Sequence, residues 1–169
     1  MWEEDACGFA EVTVGLVRLH HILRRLEPAF VGEVDRRRNG PRALLVQMPG
    51  EQHGFGLAMV VQFFARAGWT VLSEPVATRD DLIGLVRREP LGIVGISVSC
   101  SDRLDALATD IRAIRRASRN RRVGIMVGGP VFVEHPQLAA MVGADATASS
   151  GSEAVRQAHR LVSLSAKAL

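Results

Sequence analysis

Three short stretches of this chain carry residue types whose spacing could do chemistry. In the first, Glu51-Gln52-His53-Gly54-Phe55-Gly56, an imidazole stands two residues after a carboxylate and three before a glycine. A neutral imidazole nitrogen binds a transition metal. The other ring nitrogen then donates to a carboxylate or carbonyl, which fixes the tautomer and the ring orientation. Glu51 is the candidate for that second role. The next stretch, Ser97-Val98-Ser99, offers hydroxyls that can hydrogen-bond a polar ligand atom inside an apolar slot. The last is Gly128-Gly129, which, like Gly56, removes side chains where a large ligand would approach the backbone. His135 and His159 have no such company and read as surface residues, as does His20-His21 on a helix. Cys7 and Cys100 match no metal-ligand spacing and read as structural or incidental.

The elements that must position these residues follow from periodicity. An apolar run, Ala43–Met48, ends at Pro49-Gly50, and the apolar segment Phe55–Ala67 follows. That pattern is strand, loop, helix, with His53 on the loop. The helix is apolar almost all round and is expected to be deeply buried, with Gly68 ending it. A short strand starts at Thr70–Leu72, and Thr78-Arg79-Asp80-Asp81 has the form of a capping box opening a helix to about Arg88. Leu91–Ser99 is apolar enough for a central strand buried on both faces. An amphipathic helix over Asp102–Ser118 leads to a strand, Arg122–Val127, that ends at Gly128-Gly129. A helix over Pro136–Val142, a short segment at Asp145–Ala148 and a last helix to about Leu164 complete the chain. Ser150-Gly151-Ser152-Glu153 gives that last helix a second capping-box pattern.

Strands alternating with helices predict an α/β fold: a flavodoxin-like five-stranded parallel sheet of order 2-1-3-4-5 with helices on both faces, preceded by an N-terminal helix. This order sets the ends of the first and third strands side by side. The His53 loop and Ser97–Ser99 should then be neighbours, with Gly128-Gly129 beside the serines. The expected organisation is an N-terminal helix over 1–27, a linker over 28–41 and the α/β domain over 42–169. The helix carries an apolar strip at Phe9, Val12, Leu16, Leu19, Leu23 and Leu26. Such a strip must pack on the main domain, on a second copy in a homodimer, or on residues upstream.

Composition narrows the function. Hydrophobic residues make up 47% and charged residues 23% of the 169 residues, a globular balance. No apolar run of about 18 residues suggests a membrane span, and the acidic start lacks a signal-peptide pattern, so a cytoplasmic protein is expected. The formal net charge is +3. Arg36-Arg37-Arg38 and the cluster from Arg115 to Arg122 read as solvated surface, so direct contact with nucleic acid is not expected. There is no catalytic triad or P-loop, and Gly54-x-Gly56 lacks the third glycine of a dinucleotide site. The strand-end loops lack the acidic cluster of phosphotransfer regulators. The chain is therefore not expected to be an enzyme.

Taken in order, the three stretches resemble the cobalamin-binding domain signature over residues 42 to 165: Asp-x-His-x-x-Gly, then Ser-x-Leu or Ser-x-Ser, then Gly-Gly. The resemblance implies His53 as the metal ligand, holding cobalt from below, with Glu51 as its partner. It also implies that Gly56, Ser97, Ser99, Gly128 and Gly129 line the slot for the cofactor's nucleotide tail. Glu51 replaces the usual aspartate and Ser99 stands where leucine is common, and both variants are similar to regulatory and light-sensing members. Trp2-Glu3-Glu4-Asp5, Gly129-Pro130-Val131-Phe132 and Gly143-Ala144-Asp145-Ala146-Thr147 look like the AerR/PpaA-type photosynthesis antirepressors. That resemblance implies adenosyl-, methyl- or hydroxocobalamin as cofactor and a transcriptional repressor of the PpsR/CrtJ type as partner, with light or redox state as trigger. Trp2 reads as a helix anchor on the core, although aromatics stack over the cofactor in light-sensing relatives. Two alternatives stay open: a heme sensor on the same scaffold with His53 on iron, and a corrinoid shuttle or small subunit of a methyltransferase or mutase. Shuttles of the family carry a four-helix cap, whereas one helix at most is expected here.

Overall fold

Runs of branched and aliphatic residues bounded by glycine and polar turns build the sheet. The computed structural model describes residues 40–51 and 54–167. The expected helix over 1–27, most of the 28–41 linker, Trp2, Cys7 and His53 itself lie outside those residues. The strands are β1 (Arg42–Gln47), β2 (Thr70–Leu72), β3 (Ile93–Ser97), β4 (Gly124–Gly128) and β5 (Ala146–Thr147). The helices are α1 (Phe55–Arg66), α2 (Arg79–Arg88), α3 (Leu104–Ala117), α4 (Pro130–Glu134), α5 (Leu138–Met141) and α6 (Gly151–Lys167), with a 3-10 turn at Ser101–Arg103 before α3. The sheet is parallel throughout, in the order β2-β1-β3-β4-β5. This is the expected flavodoxin-like arrangement. Among the described residues no helix is long and apolar enough to cross a membrane.

Strands β1, β3 and β4 are buried through their middles because helices cover both faces. Alternation along β1 divides the core. Leu44 and Val46 join Leu82, Val86, Leu107, Ile111 and Ile114 under α2 and α3. Ala43 and Leu45 join Phe64, Trp69, Ala154 and Ala158 under α1 and α6. On this second face Trp69 closes the end of α1 against α6. Its indole N–H donates to His159 Nε2 at 3.1 Å, and its ring meets Phe64 edge-on at 5.2 Å. His159, expected to have no partner, is therefore a packing residue whose side is exposed.

The register brings the strand ends together. Gln47 pairs with Ser97, and Ser97 pairs with Gly128. Helix α2 starts with the expected capping box: Thr78 Oγ1 accepts from the Asp81 N–H at 3.2 Å, and the Asp81 carboxylate accepts from the Thr78 N–H at 3.0 Å. At α6 the box is half formed. Ser150 Oγ accepts from the Glu153 N–H at 3.3 Å, but the Glu153 carboxylate turns to Ser149 instead of Ser150.

Three expectations need correction. Helix α4 stands where no element was expected; proline at its first position lacks an N–H that the helix would leave unpaired anyway. The helix expected over Pro136–Val142 is reduced to the single turn α5. Helix α1, expected to be deeply buried, has Phe64 as its one buried residue among the described side chains. Leu57, Met59, Val60 and Phe63 are not fully covered, and they line an open cavity.

Candidate functional site

That cavity, of about 590 Å³, lies between α1 and the start of α6, over the C-terminal ends of β1, β3 and β4. In a parallel α/β sheet this end, at the β1/β3 switch point, is where ligands bind. Met59, Val60 and Phe63 of α1 supply an apolar wall, Leu45 and Met126 a floor, and the turn Ala148–Gly151 the facing wall. Phe63 and Val133 stand at the mouth, 40% and 51% exposed. Gly56, Ser97, Ser99, Gly128 and Gly129 all border this space. The structure therefore brings together five residues from three stretches that are far apart in sequence.

The glycines do different work. Gly129 has φ of 114°, and a Cβ there would lie 2.0 Å from the Val98 carbonyl oxygen. The fold itself demands this glycine, because the chain leaving β4 presses on the chain leaving β3. At Gly56 and Gly128 an added Cβ would meet no atom of the described residues within 4 Å. Nothing in the packing of the described residues requires glycine at either place, and both border the cavity.

Glu51 is held from across the sheet. Its Oε2 accepts the Ser99 N–H at 3.0 Å and also the Ser99 hydroxyl. The loop backbone is pinned alongside: the Glu51 N–H donates to Met48 O at 2.9 Å, and the Met48 N–H to Ser97 O at 3.0 Å. Arg103 reaches over from the 3-10 turn and donates to the Pro49 carbonyl. Ser99 thus borders the cavity and also anchors the carboxylate that precedes His53. Arg103 went unnoticed in the sequence because one arginine among many carries no spacing signal.

A family model for the B12 binding domain matches residues 41–158. The chain belongs to the B12-binding domain family. One relative of this B12-binding domain protein is an uncharacterized 20.5 kDa protein in the bchF-crtJ intergenic region of Rhodobacter capsulatus. It is 28% identical over 144 residues, covering 85% of this chain and 74% of that protein. Among solved structures, a cobalamin-binding protein from Desulfitobacterium hafniense DCB-2 shares the fold with a TM-score of 0.65 at 19% identity. The overlap covers 73% of this chain, which spans 60% of that protein's length. The monomethylamine corrinoid protein of Methanosarcina barkeri gives a TM-score of 0.76 at 15% identity, over 95% of this chain and 74% of that one.

The described residues of this B12-binding domain fit a large cofactor on their own terms. A slot with an apolar wall, two serine hydroxyls and two glycines that only a ligand would explain suits an elongated group with a few polar atoms. Two carboxylates have shifted pKa values, one on the opposite face of the sheet and one at the cavity wall. Asp110 on α3 is 7% exposed, and burial pushes its pKa above the usual carboxylate value. Arg79, whose Nε lies 3.0 Å from Asp110 Oδ1, and Arg103 oppose that shift. At the facing wall the Ser149 hydroxyl and then the Ser149 N–H hold the Glu153 pKa below the usual value, with help from Arg156. That pairing fixes the 148–151 turn along the cavity.

Proposed function

We propose that this chain is a cobalamin-responsive regulatory protein that acts on a transcriptional repressor of the PpsR/CrtJ type. The observation that carries the reading is the convergence of Gly56, Ser97, Ser99, Gly128 and Gly129 on one cavity, with glycine at 56 and 128 where no packing among the described residues requires it. In this reading His53 would be the protein ligand that holds the cobalt. Glu51, braced by Ser99, orients the imidazole, and the five cavity residues receive the nucleotide tail. When bound, an alkylcobalamin supplies a weak, photolabile cobalt–carbon bond. The chain's own part is to hold the cofactor and convert a change at its exposed face into a change of shape. The 1–27 segment, with its apolar strip, is the element proposed to show or hide that strip toward the repressor. The relative between bchF and crtJ supports a regulatory setting of this kind.

The test uses purified protein mixed in the dark with adenosylcobalamin, hydroxocobalamin or hemin and desalted, with spectra before and after green light. Retention of a corrinoid, a light-dependent spectrum and a light-dependent change in capture of the repressor support the reading. Retention of hemin alone overturns the cobalamin assignment in favour of a heme sensor. A second reading, a corrinoid carrier without its own catalytic residues, is favoured by the fold shared with the Methanosarcina barkeri corrinoid protein. Corrinoid retention with no effect of light, together with methyl transfer to and from the bound cobalt by an added methyltransferase, would select it.

A further inference from the structure

The arginine cluster that sequence reading left as solvated surface has a different look in three dimensions. Residues 112–122 contain six arginines and no acidic residue. They form the end of α3 and the turn into β4, at the pole of the sheet opposite the cavity. Arg87 and Arg88 end the neighbouring helix α2. The Arg119 N–H donates to the Val86 carbonyl at 3.4 Å, which draws the two clusters into one face. The turn is rigid: Asn120 Nδ2 donates to Leu91 O at 2.8 Å, and Asn120 Oδ1 accepts from the Arg122 N–H at 3.0 Å.

Not every arginine here is available. Arg115 pairs with Asp145 at 2.8 Å, Arg121 donates to Arg116 O, Arg112 donates to Thr109 Oγ1, and Arg122 donates to Ser165 O. Arg87, Arg88, Arg116 and Arg119 are exposed and have no acidic partner among the described residues. Compensation of helix dipoles does not account for them all. Arg87 and Arg88 already close α2, and Arg115 and Arg116 close α3. Arg119 is surplus, and six like charges in such a short stretch repel one another unless an anion is present.

We infer that this face binds the phosphate backbone of double-stranded nucleic acid, independently of sequence. Arginine forks match phosphate oxygens. A protein partner would need an apolar centre to the interface, and none of the exposed large hydrophobics among the described residues, Phe63, Val133, Met141 and Leu164, falls within 79–92 or 112–124. No tryptophan or phenylalanine occurs in residues 79–92 or 112–124, so there is no platform for stacking unpaired bases. A duplex fits the face better than a single strand.

The experiment is fluorescence anisotropy with a labelled random-sequence 30-bp duplex, titrated with the whole protein between about 50 and 200 mM salt. The variants are Arg116→Gln/Arg119→Gln, the quadruple that adds Arg87→Gln and Arg88→Gln, and the charge-matched control Arg66→Gln/Arg156→Gln. Each lost phosphate contact should flatten the plot of log K against log[salt] by about 0.9. The double variant should lose about 1.8 in slope and the quadruple about 3.6, and the control should bind like wild type. All substituted side chains are exposed, so thermal unfolding should not move; should the quadruple unfold, the double variant carries the comparison. Three results would overturn the inference: no wild-type binding at low salt, equal loss in the control, or competition by polyglutamate as strong as by unlabelled duplex. The last would assign the face to an acidic protein.

Discussion

Replacing three of the cavity's glycines, Gly56, Gly128 and Gly129, by alanine, one at a time, should separate folding from binding. At Gly129 the new Cβ would sit 2.0 Å from a backbone carbonyl oxygen, at φ of 114°. A backbone atom cannot rotate away as a side chain does. Forcing an L-residue into that conformation costs about 1–3 kcal/mol, and overpacking costs about 1–3 kcal/mol more. The sum, roughly 2–6 kcal/mol, is a large share of the ~5–15 kcal/mol that holds a domain folded. Gly129→Ala should therefore unfold ~10 °C or more below wild type. Gly128→Ala and Gly56→Ala should behave in the opposite way, because no atom of the described residues lies within 4 Å of either new methyl. Alanine also favours the regular backbone at both positions, by up to about 1 kcal/mol. Their melting temperatures should stay level or rise. Yet each methyl enters the cavity, and a misfit worth about 1–3 kcal/mol weakens binding about 5- to 150-fold. Differential scanning fluorimetry and equilibrium dialysis with hydroxocobalamin read the two quantities on the same samples. If both alanine variants melt like wild type and bind cobalamin with unchanged affinity, the argument that glycine is kept for the ligand is refuted.

Ser99→Ala should loosen the Glu51 carboxylate, raising the cobalamin dissociation constant about tenfold with little change in unfolding temperature, as dialysis and fluorimetry will show. Asp110 has a raised folded pKa, so its contribution to stability is fullest below the ordinary carboxylate range and is lost as pH rises through the folded value. Urea unfolding should accordingly show Asp110→Asn gaining on wild type between about pH 4 and pH 7. Glu153 has a lowered folded pKa, so its contribution is present above the ordinary range and is lost as pH falls through the folded value. Glu153→Gln should thus remove part of the acid sensitivity seen in wild-type melting curves. Trp69→Phe removes the donor to His159 but keeps most of the apolar contact, and a loss of about 1 kcal/mol in urea unfolding is expected.

Much of the fold was legible because the relevant physics is local. The Thr78–Asp81 box needs only four consecutive residues, and the structure forms it. The buried strands read as apolar runs because helices cover both faces, and alternating strands and helices leave few topologies. Helix α1 misled for an instructive reason. Composition cannot tell an apolar residue that faces the core from one that faces a binding cavity, and Met59, Val60 and Phe63 face the cavity. The second capping box failed by one residue because Ser149 and Ser150 compete for the same carboxylate, and hydrogen-bond geometry decides between them. For the site, spacing brought Gly56, Ser97, Ser99, Gly128 and Gly129 into consideration, since strand order sets where strand ends meet. What spacing could not reveal was the division of labour within the double glycine, or that Ser99 grips Glu51. Arg103 and the convergence of Arg119 on α2 were also hidden, because they depend on contacts between residues far apart in the chain.

The most direct test of the central claim asks which nitrogen lies under cobalt. Protein carrying 15N-histidine should be loaded with cobalamin, reduced to the cobalt(II) form and examined by electron paramagnetic resonance beside an unlabelled sample and the His53→Ala variant. A lower ligand from the protein predicts that each triplet splitting of the unlabelled sample becomes a doublet on labelling, and that the signal of the His53→Ala variant ignores the label. Triplets that persist in the labelled wild type would show that the cofactor's own base stays on the metal, and would contradict the assignment of His53.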